Sequence, residues 1–468
     1  MNLLLVASGN FFADYGGGQV YVRRLVTDLR RPEYGLSLSV LSVDDSFADQ
    51  TRMRTLTATL TEQEATWTEG DERATGVTVY EMSPRGDMGE VLRRVRPDLV
   101  HAHGHKAAMA RACREAGVPC LVTAHHGGLC CPAGTLMDHR RHICNRPAEG
   151  RRCLRCYLHT IRGARWLWPL TLGIPWRLYI NIGIRSRRGH FIPLISPVAE
   201  AALAVQEKME RWRGLCLDAT RLVAPSQAMA DALIRNGAAR EKVQVEPHGV
   251  PTATGYAMEN EEGSKLRFYY CGRMAPVKGV DVLLQAWRQA RREGLHEAEL
   301  HLIGTAGTRN EARYLRRCKR RSRGDSSVVW HGKVGQPEAI AHQCQVLLHP
   351  ALYLEAFGLD MAEALAAGRW VIASRCGGAE QQIVEEQNGW LLPTGDRRAW
   401  AKALLRYATE RPRPAGPRPL TLTEHALNLR KIYDELTPKN NPICYYFIGN
   451  QANWEYRSYF VDIHRKSL

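Results

Sequence analysis

Gln345 to Gly368 reads "QVLLHPALYLEAFGLDMAEALAAG". "QVLLHPALY" is an apolar run of strand length, and "GLDMAEALAAG" has helical spacing and closes on Gly368, a residue suited to a helix C-terminus. Glu355 falls in the loop at the helix mouth and Glu363 lies more than a turn inside. A strand, a short loop and a helix N-terminus form the place where a doubly wound parallel sheet binds phosphorylated ligands, because unpaired N–H groups and the helix dipole favour anions. An acid within that helix would repel phosphate, yet it can accept two hydrogen bonds from a ribose diol. A partly exposed helical glutamate with no such duty is the other reading, and this stretch alone leaves both open.

Outward from it, strand and helix patterns alternate. Upstream come "LRFYYCGR", "VDVLLQAWRQARREG", "AELHLIG" and "SVVWHGKV", and downstream "RWVIAS" and "GWLLP". A second series fills the first half: "NLLLVAS", "VYVRRLVTDLR", "LSLSVLSV", "VTVYE", "MGEVLRRVR", "PDLVHAHG", "KAAMARACREAG" and "VPCLVTAHH". Such alternation predicts two α/β domains built from βαβ units. The expected division is 1–252 for the first, 253–265 as a linker, 266–415 for the second, 416–436 as a closing helix and 437–468 as a tail without assigned role. An irregular insertion rich in Cys, Arg and Trp interrupts the first domain at about 127–214.

A chain of 468 residues exceeds one ordinary core. With 64 Lys and Arg against 48 Asp and Glu the net charge is +16, so an anionic partner is expected: phosphates, nucleic acid or a membrane surface. No apolar run reaches membrane-spanning length; the nearest, "WLWPLTLGIPWRLYINIGI", is broken by Pro169, Pro175 and Arg177. The opening "MNLLLVAS" has no basic leader, and the 13 cysteines fit a reducing cytoplasm.

"GRMAPVKG" bends at Gly272 and Gly279 and sets Arg273 and Lys278 beside one loop, where two cations can neutralise a diphosphate as it leaves. Gly17 and Gly18 in "GGGQVYVRRL" allow close approach of backbone to ligand after the first strand. Together with "VTAHH", "RLVAPSQAMADAL", "VQVEPHGV", "EAFGLDMAE" and "VIASRCGG", these motifs resemble the retaining glycosyltransferases of family 4. Those enzymes have the GT-B fold, two Rossmann-like doubly wound domains facing across a cleft. The resemblance covers Asn2 to Leu436 apart from the insertion.

It implies a nucleotide-sugar donor and a glycan or lipid-linked acceptor in bacterial cell-surface polysaccharide or lipopolysaccharide synthesis. Arg273 and Lys278 would clamp the diphosphate, backbone near Phe357, Gly358 and Leu359 would touch it, Glu363 would take the ribose, and Glu355 and His125 would face the sugar. Transfer would retain the anomeric configuration and need no metal or other cofactor for catalysis. The chain departs from the family's Gly-Gly-x-x-Glu at "GGAEQ", where Gln381 stands at the Glu position and Glu380 precedes it. His101 and His103 are expected along the cleft wall.

Cys131, Cys144, Cys153 and Cys156 follow C-x12-C-x8-C-x2-C, a spacing suited to a structural zinc, with an iron–sulfur cluster or reduced thiols as alternatives. Similar cysteine insertions occur in some members of the family. Trp166, Trp168 and Trp176 among Arg162, Arg165, Arg177, Arg185, Arg187 and Arg188 suit an anionic membrane surface, giving a peripheral protein on the inner face. A buried apolar helix pair with a solvated basic end is the alternative. Two other functions remain open: a sugar-nucleotide epimerase of the same fold, and a nucleic-acid-binding protein prompted by "RYLRRCKRRSRGD". That run lacks interleaved aromatics, so no nucleic-acid partner is expected.

Overall fold

The structure is a computed structural model that describes residues 1–7, 9, 11, 17–43, 54–60, 65–68, 77–161, 164–171, 174–252, 265–335 and 337–437. Most of the expected linker, and the tail from Pro438 to Leu468, lie outside the described residues.

The first sheet contains β1 (Asn2–Val6), β2 (Ser37–Val43), β3 (Arg54–Leu60), β4 (Ala65–Thr68), β5 (Val77–Met82), β6 (Leu99–Ala102), β7 (Cys120–Thr123), β8 (Arg221–Ala224) and β9 (Val243–Val245), in the order β4-β3-β5-β2-β1-β6-β7-β8-β9. From β5 to β9 all neighbours are parallel, and β3 adds an antiparallel edge with β4. Alternation along β1 divides the core: Leu3 and Leu5 join one cluster, Leu4 and Val6 the other, one on each face. The edge hairpin was not expected from the sequence.

The second sheet contains β10 (Leu266–Cys271), β11 (Ala298–Ile303), β12 (Val328–Gly332), β13 (Val346–His349), β14 (Trp370–Ser374) and β15 (Gly389–Leu392), in the order β12-β11-β10-β13-β14-β15, parallel throughout. Both sheets therefore reverse their winding direction beside their first strand, between β1 and β6 and between β10 and β13. In an open α/β sheet the crevice at such a reversal is the ligand position. The loops leaving β1, β6, β10 and β13 carry Gly17, His103, Lys278 and Glu355 respectively.

The chain then returns to the first sheet. Ala426, Leu429, Ile432 and Tyr433 of the Leu422–Leu436 helix pack with Leu3, Leu5 and Val22, so residues distant in sequence close one core.

Where an irregular insertion was expected, the structure has helices Gly150–Thr160, Trp176–Arg187 and Ile195–Asp218 with a small core of their own, centred on Leu154, Leu158, Tyr179 and Val198. Gly183 lets two of them touch: a Cβ there would lie 2.5 Å from the Ala199 carbonyl oxygen. Trp176 covers Gly150 and donates to Gln206 Oε1 at 3.1 Å, so its ring serves this packing and is not a free surface aromatic. Arg162 and the side chains of Arg165 and Trp168 lie outside the described residues.

Candidate active site

The loop after β10 turns at Gly279, whose φ of 71° and close approach require glycine: a Cβ would sit 1.9 Å from the Pro350 carbonyl oxygen. That contact fixes the "GRMAPVKG" loop against the end of β13. Lys278 is thereby brought under Glu355, with Nζ donating to Oε2 at 2.6 Å. Tyr353 Oη donates to the same oxygen at 2.6 Å, His349 Nε2 stands 3.5 Å from it, and His349 Nδ1 is 2.7 Å from Asp360 Oδ2. Bases and acids thus alternate, Lys278, Glu355, His349, Asp360, joining the loop after β10 to the end of β13 and the first turn of the helix that follows it.

Burial alone would raise the Glu355 carboxyl, but Lys278 and His349 outweigh it and hold the group well below the usual carboxylate range. Burial would likewise lower Lys278 and His349. Glu355 outweighs it for Lys278 and Asp360 for His349, so both are raised. Lys278, Glu355 and His349 are therefore charged near neutrality. Neither His349, Tyr353 nor Asp360 was singled out from the sequence, although a strand-end histidine followed by an acid in the next helix's first turn was there to be read.

Glu363 lies on the Leu359–Ala366 helix, where burial raises its carboxyl. Its partner is Arg24 of the Gly17–Leu29 helix, which also stands 3.7 Å from Glu338. The N-terminal ends of the two helices meet as well: a Cβ at Gly17 would lie 3.5 Å from Leu359 Cδ1, while one at Gly18 would meet open space. Two helix N-termini, one from each sheet, therefore converge on one point, an arrangement that favours an anion. Arg24 had no signal in the sequence, since its partner is 339 positions away.

Arg273 stands apart from Lys278. Its guanidinium is exposed, 3.4 Å from Glu311. His126 is pushed down to about 4 by burial, then by Lys106 and Arg273. Phe357 packs with Val250 and Ala362, and its ring meets that of His248 at 5.2 Å. Gly358 takes a φ of 87° immediately before the helix.

His125 lies just beyond the end of β7 and is hydrogen-bonded through Nε2 to His103 Nδ1 at 2.9 Å; its Nδ1 has no hydrogen-bond partner among the described residues. Around it Tyr21, His103 and His248 lie within ring contact, 5.1 to 5.3 Å from its centroid. Tyr21 Oη meets His425 Nε2 at 2.6 Å, and His425 Nδ1 meets Glu246 Oε1 at 3.0 Å. His101 is not a cleft-wall residue: it is fully buried, with Nδ1 on Tyr433 Oη at 2.8 Å and Nε2 on Thr123 Oγ1 at 2.7 Å. Burial pushes His101 down to about 3 and His103, His125 and His248 well below the ordinary imidazole range, so all four are neutral.

At the departure from the family pattern, Glu380 Oε1 accepts from the Gly377 N–H at 3.2 Å, and Gln381 Oε1 accepts from the Gln227 N–H at 2.9 Å. Gln381 thus ties the second sheet's loops to a helix of the first.

In the insertion Cys131, Cys144, Cys153 and Cys156 are free thiols, with Cys131 acting electrostatically on both Cys153 and Cys156. The Glu149 N–H points at Cys153 Sγ at 3.3 Å. Among the described residues no group of three or more Cys, His, Asp or Glu side chains stands at metal-holding geometry.

Residues 265–410 match the family model described as "Glycosyl transferases group 1". A D-inositol 3-phosphate glycosyltransferase of Segniliparus rotundus is 26% identical over 268 residues, 54% of this chain and 57% of that protein. A putative colanic acid biosynthesis glycosyltransferase, WcaL, of Escherichia coli is 25% identical over 222 residues, 45% of this chain and 54% of that protein. The chain thus spans little more than half the length of the curated relatives it matches. Among solved structures, HepE of Anabaena in complex with UDP and glucose covers 92% of this chain and 94% of its own at TM-score 0.55 and 14% identity. Sucrose-phosphate synthase of Thermosynechococcus elongatus covers 93% and 94% at TM-score 0.57 and 15% identity. Likeness at that identity speaks for the fold, and with the two sheets described above the fold is GT-B: two Rossmann-like domains, the second carrying the glycosyl transferases group 1 match.

Proposed function

We propose that the chain is a retaining glycosyltransferase that moves a sugar from a nucleotide-sugar donor to a glycan or lipid-linked acceptor, in bacterial cell-surface polysaccharide or lipopolysaccharide synthesis. It would work in the cytoplasm against the inner face of the membrane. The observation that carries this reading is the Lys278–Glu355 pair, set at the mouth of a helix whose N-terminus meets that of the Gly17–Leu29 helix. The names of the relatives, glycosyltransferases for inositol phosphate and colanic acid, support it.

In this reading the diphosphate lies where the two helix N-termini converge, against the backbone of Phe357, Gly358 and Leu359. Lys278 and Arg273 neutralise the charge that develops on it. Glu363 accepts from the ribose hydroxyls, Glu355 faces the sugar and His125 Nδ1 meets a hydroxyl near the reacting carbon. As the bond from the anomeric carbon to the diphosphate oxygen breaks, the acceptor oxygen bonds from the same face. Its proton passes to the departing phosphate, so configuration is kept and no protein base, metal or cofactor is needed. In the insertion, a structural zinc would draw Cys131, Cys144, Cys153 and Cys156 into one site and staple a fold with a small core.

The test is thermal shift against UDP-, GDP-, ADP- and dTDP-sugars, followed by product analysis. A ligand at a hundred times its dissociation constant should stabilise the protein by about 2.7 kcal/mol. With that donor, Lys278→Ala that is still folded should lose roughly two to three orders of magnitude in turnover. No shift with any nucleotide sugar would sink the reading; an epimerised sugar nucleotide with no acceptor requirement would replace it with the epimerase.

A further inference from the structure

Between Glu149 and Glu200 the chain has nine arginines and no Asp, Glu or Lys. This run concentrates positive charge on the insertion, as the Arg309–Arg321 helix does in the second domain. The apolar side chains there are unusual in the opposite sense. Of nine large hydrophobic side chains that are exposed among the described residues, seven lie from Ile161 to Leu194.

The geometry gathers part of this set onto one surface. The Trp176–Arg187 helix buries Tyr179, Gly183 and Ser186 against the insertion core. At about 100° per residue, Arg177, Leu178, Asn181, Ile184, Arg185 and Arg188 share an arc of roughly 120° on the opposite side, and all six are exposed. The next turn exposes Phe191 at 61% and Leu194 at 64%, with Ile192 between them at 46%. Arg187 is held by Glu207, whereas Arg177, Arg185 and Arg188 form no ion pair among the described residues. An open groove of about 430 Å³ beside this surface is lined by Ile180, Ile184 and Leu203 together with Arg187, Arg188, Gln206, Glu207 and Glu210, so the acids lie on the Ile195–Asp218 helix and not on the face of Arg177, Arg185 and Arg188. A merely solvated helix face would carry acids among its bases and would not be followed by three exposed apolar side chains.

We propose that this surface docks the protein on an anionic phospholipid bilayer. Arg177, Arg185 and Arg188 pair with headgroup phosphates and carboxylates, while Phe191, Ile192 and Leu194 enter the boundary between headgroups and acyl chains. No helix of the described residues is long and apolar enough to cross a membrane. The inference deepens the membrane partner of the proposed function, and the lipid-linked acceptor of that reading supplies its purpose, but its chemistry does not depend on transfer.

The test is co-sedimentation of the full chain with vesicles of phosphatidylcholine alone and with about one third phosphatidylglycerol. Wild type should pellet with the anionic vesicles at low salt, be released at high salt, and stay in solution with neutral ones. Arg185→Gln with Arg188→Gln should weaken partitioning about 25-fold, from about 1 kcal/mol for each basic residue at an anionic surface. Phe191→Ser with Leu194→Ser should lose binding that survives moderate salt. Both pairs are on the surface, so the thermal midpoint and any donor-induced shift should be unchanged. Wild type in solution with both vesicles, or variants that bind like wild type, overturns the proposal. Self-association abolished by Phe191→Ser with Leu194→Ser, without vesicle binding, also overturns it, because a second copy would then cover the face. Vesicle binding without any donor shift would leave this proposal standing while the transferase reading failed, and a donor shift without vesicle binding would do the reverse.

Discussion

Replacing Glu355 by Gln removes the carboxylate that two buried cations share. Lys278 Nζ is 2.6 Å and His349 Nε2 3.5 Å from its Oε2, and His349 retains Asp360 at 2.7 Å while Lys278 retains no carboxylate at comparable distance. Taking one partner from a buried ion pair costs about 3–5 kcal/mol, because the remaining charge cannot be hydrated. Lys278→Met should cost less, about 1–3 kcal/mol, since Glu355 keeps His349 and the Tyr353 hydroxyl. In the double variant the stranded ammonium is gone, so its loss should be smaller than the sum of the singles by about 2–3 kcal/mol. Equilibrium urea unfolding of the four proteins measures this, with midpoints compared at a common slope. The pH dependence gives a second arm. Glu355, lowered in the fold, stabilises above the ordinary carboxylate value of about 4.3 and loses its contribution as pH falls through its folded value. His349, raised in the fold, stabilises fully below about 6.5 and loses its contribution as pH rises through its folded value. The Glu355→Gln deficit should therefore be greatest between about pH 4.3 and 6.5. Strict additivity of the singles would refute the reasoning, for it would mean that Lys278 and Glu355 do not feel each other.

The remaining expectations concern the cleft and the metal. Arg24→Met frees Glu363 from its guanidinium, and if ribose takes the same carboxylate, nucleotide affinity by calorimetry should rise severalfold; a tenfold fall would make Arg24 a donor ligand instead. Buried neutral His101, His103 and His248 take up protons mainly on unfolding, so stability should fall below pH 6.5 by up to about 4 kcal/mol per pH unit. A flat thermal midpoint from pH 6.5 to 5 would contradict that. Turnover should survive EDTA whenever the thermal midpoint does, and restoration by manganese of a lost activity in folded protein would contradict metal-independent transfer. Elemental analysis should find about one zinc per chain, lost in Cys153→Ser; none in freshly prepared wild type would end the zinc assignment.

What could be read in advance was whatever is encoded locally. β1, β2, β5, β6 and β7 stand out because alternating or continuous apolar residues meet turn signals within a few positions, and the donor-side loop stands out because Lys278, Glu355 and Glu363 belong to short runs. The β3–β4 hairpin was passed over although "RTLTATL" alternates Thr with Leu56, Ala58 and Leu60, because the polar residues on either side of so short a run drew it into a loop. The insertion looked irregular because its prolines and glycines break the helical pattern that a longer helix would show; its order comes from helices leaning on one another at Gly183 and Gly150. Arg24 with Glu363, and Tyr21 with His425, join positions 339 and 404 residues apart, and nothing local encodes such partners.

The two walls of the cleft follow opposite electrostatic rules, and the division matches the proposed chemistry. On the donor side Lys278 and His349 each have a carboxylate within 2.6 to 3.5 Å, so burial does not discharge them, and a charged lysine stands beside the expected diphosphate. On the other side the imidazoles of His103, His125 and His248 lie ring to ring, with His101 buried against His103, and desolvation leaves all four neutral, Lys106 adding to the repulsion felt by His101, His103 and His125. Neutral imidazoles can donate through one nitrogen and accept through the other, which suits sugar hydroxyls and would be lost on protonation. In the proposed function, protonating these rings would set further cations against Lys278 and Arg273 for the diphosphate. Neutral rings, in that function, add no charge to that of Lys106, which donates to the His103 carbonyl oxygen at 2.6 Å, and the hydrogen bonds of Tyr21, Glu246, His425 and Tyr433 hold the cluster in place.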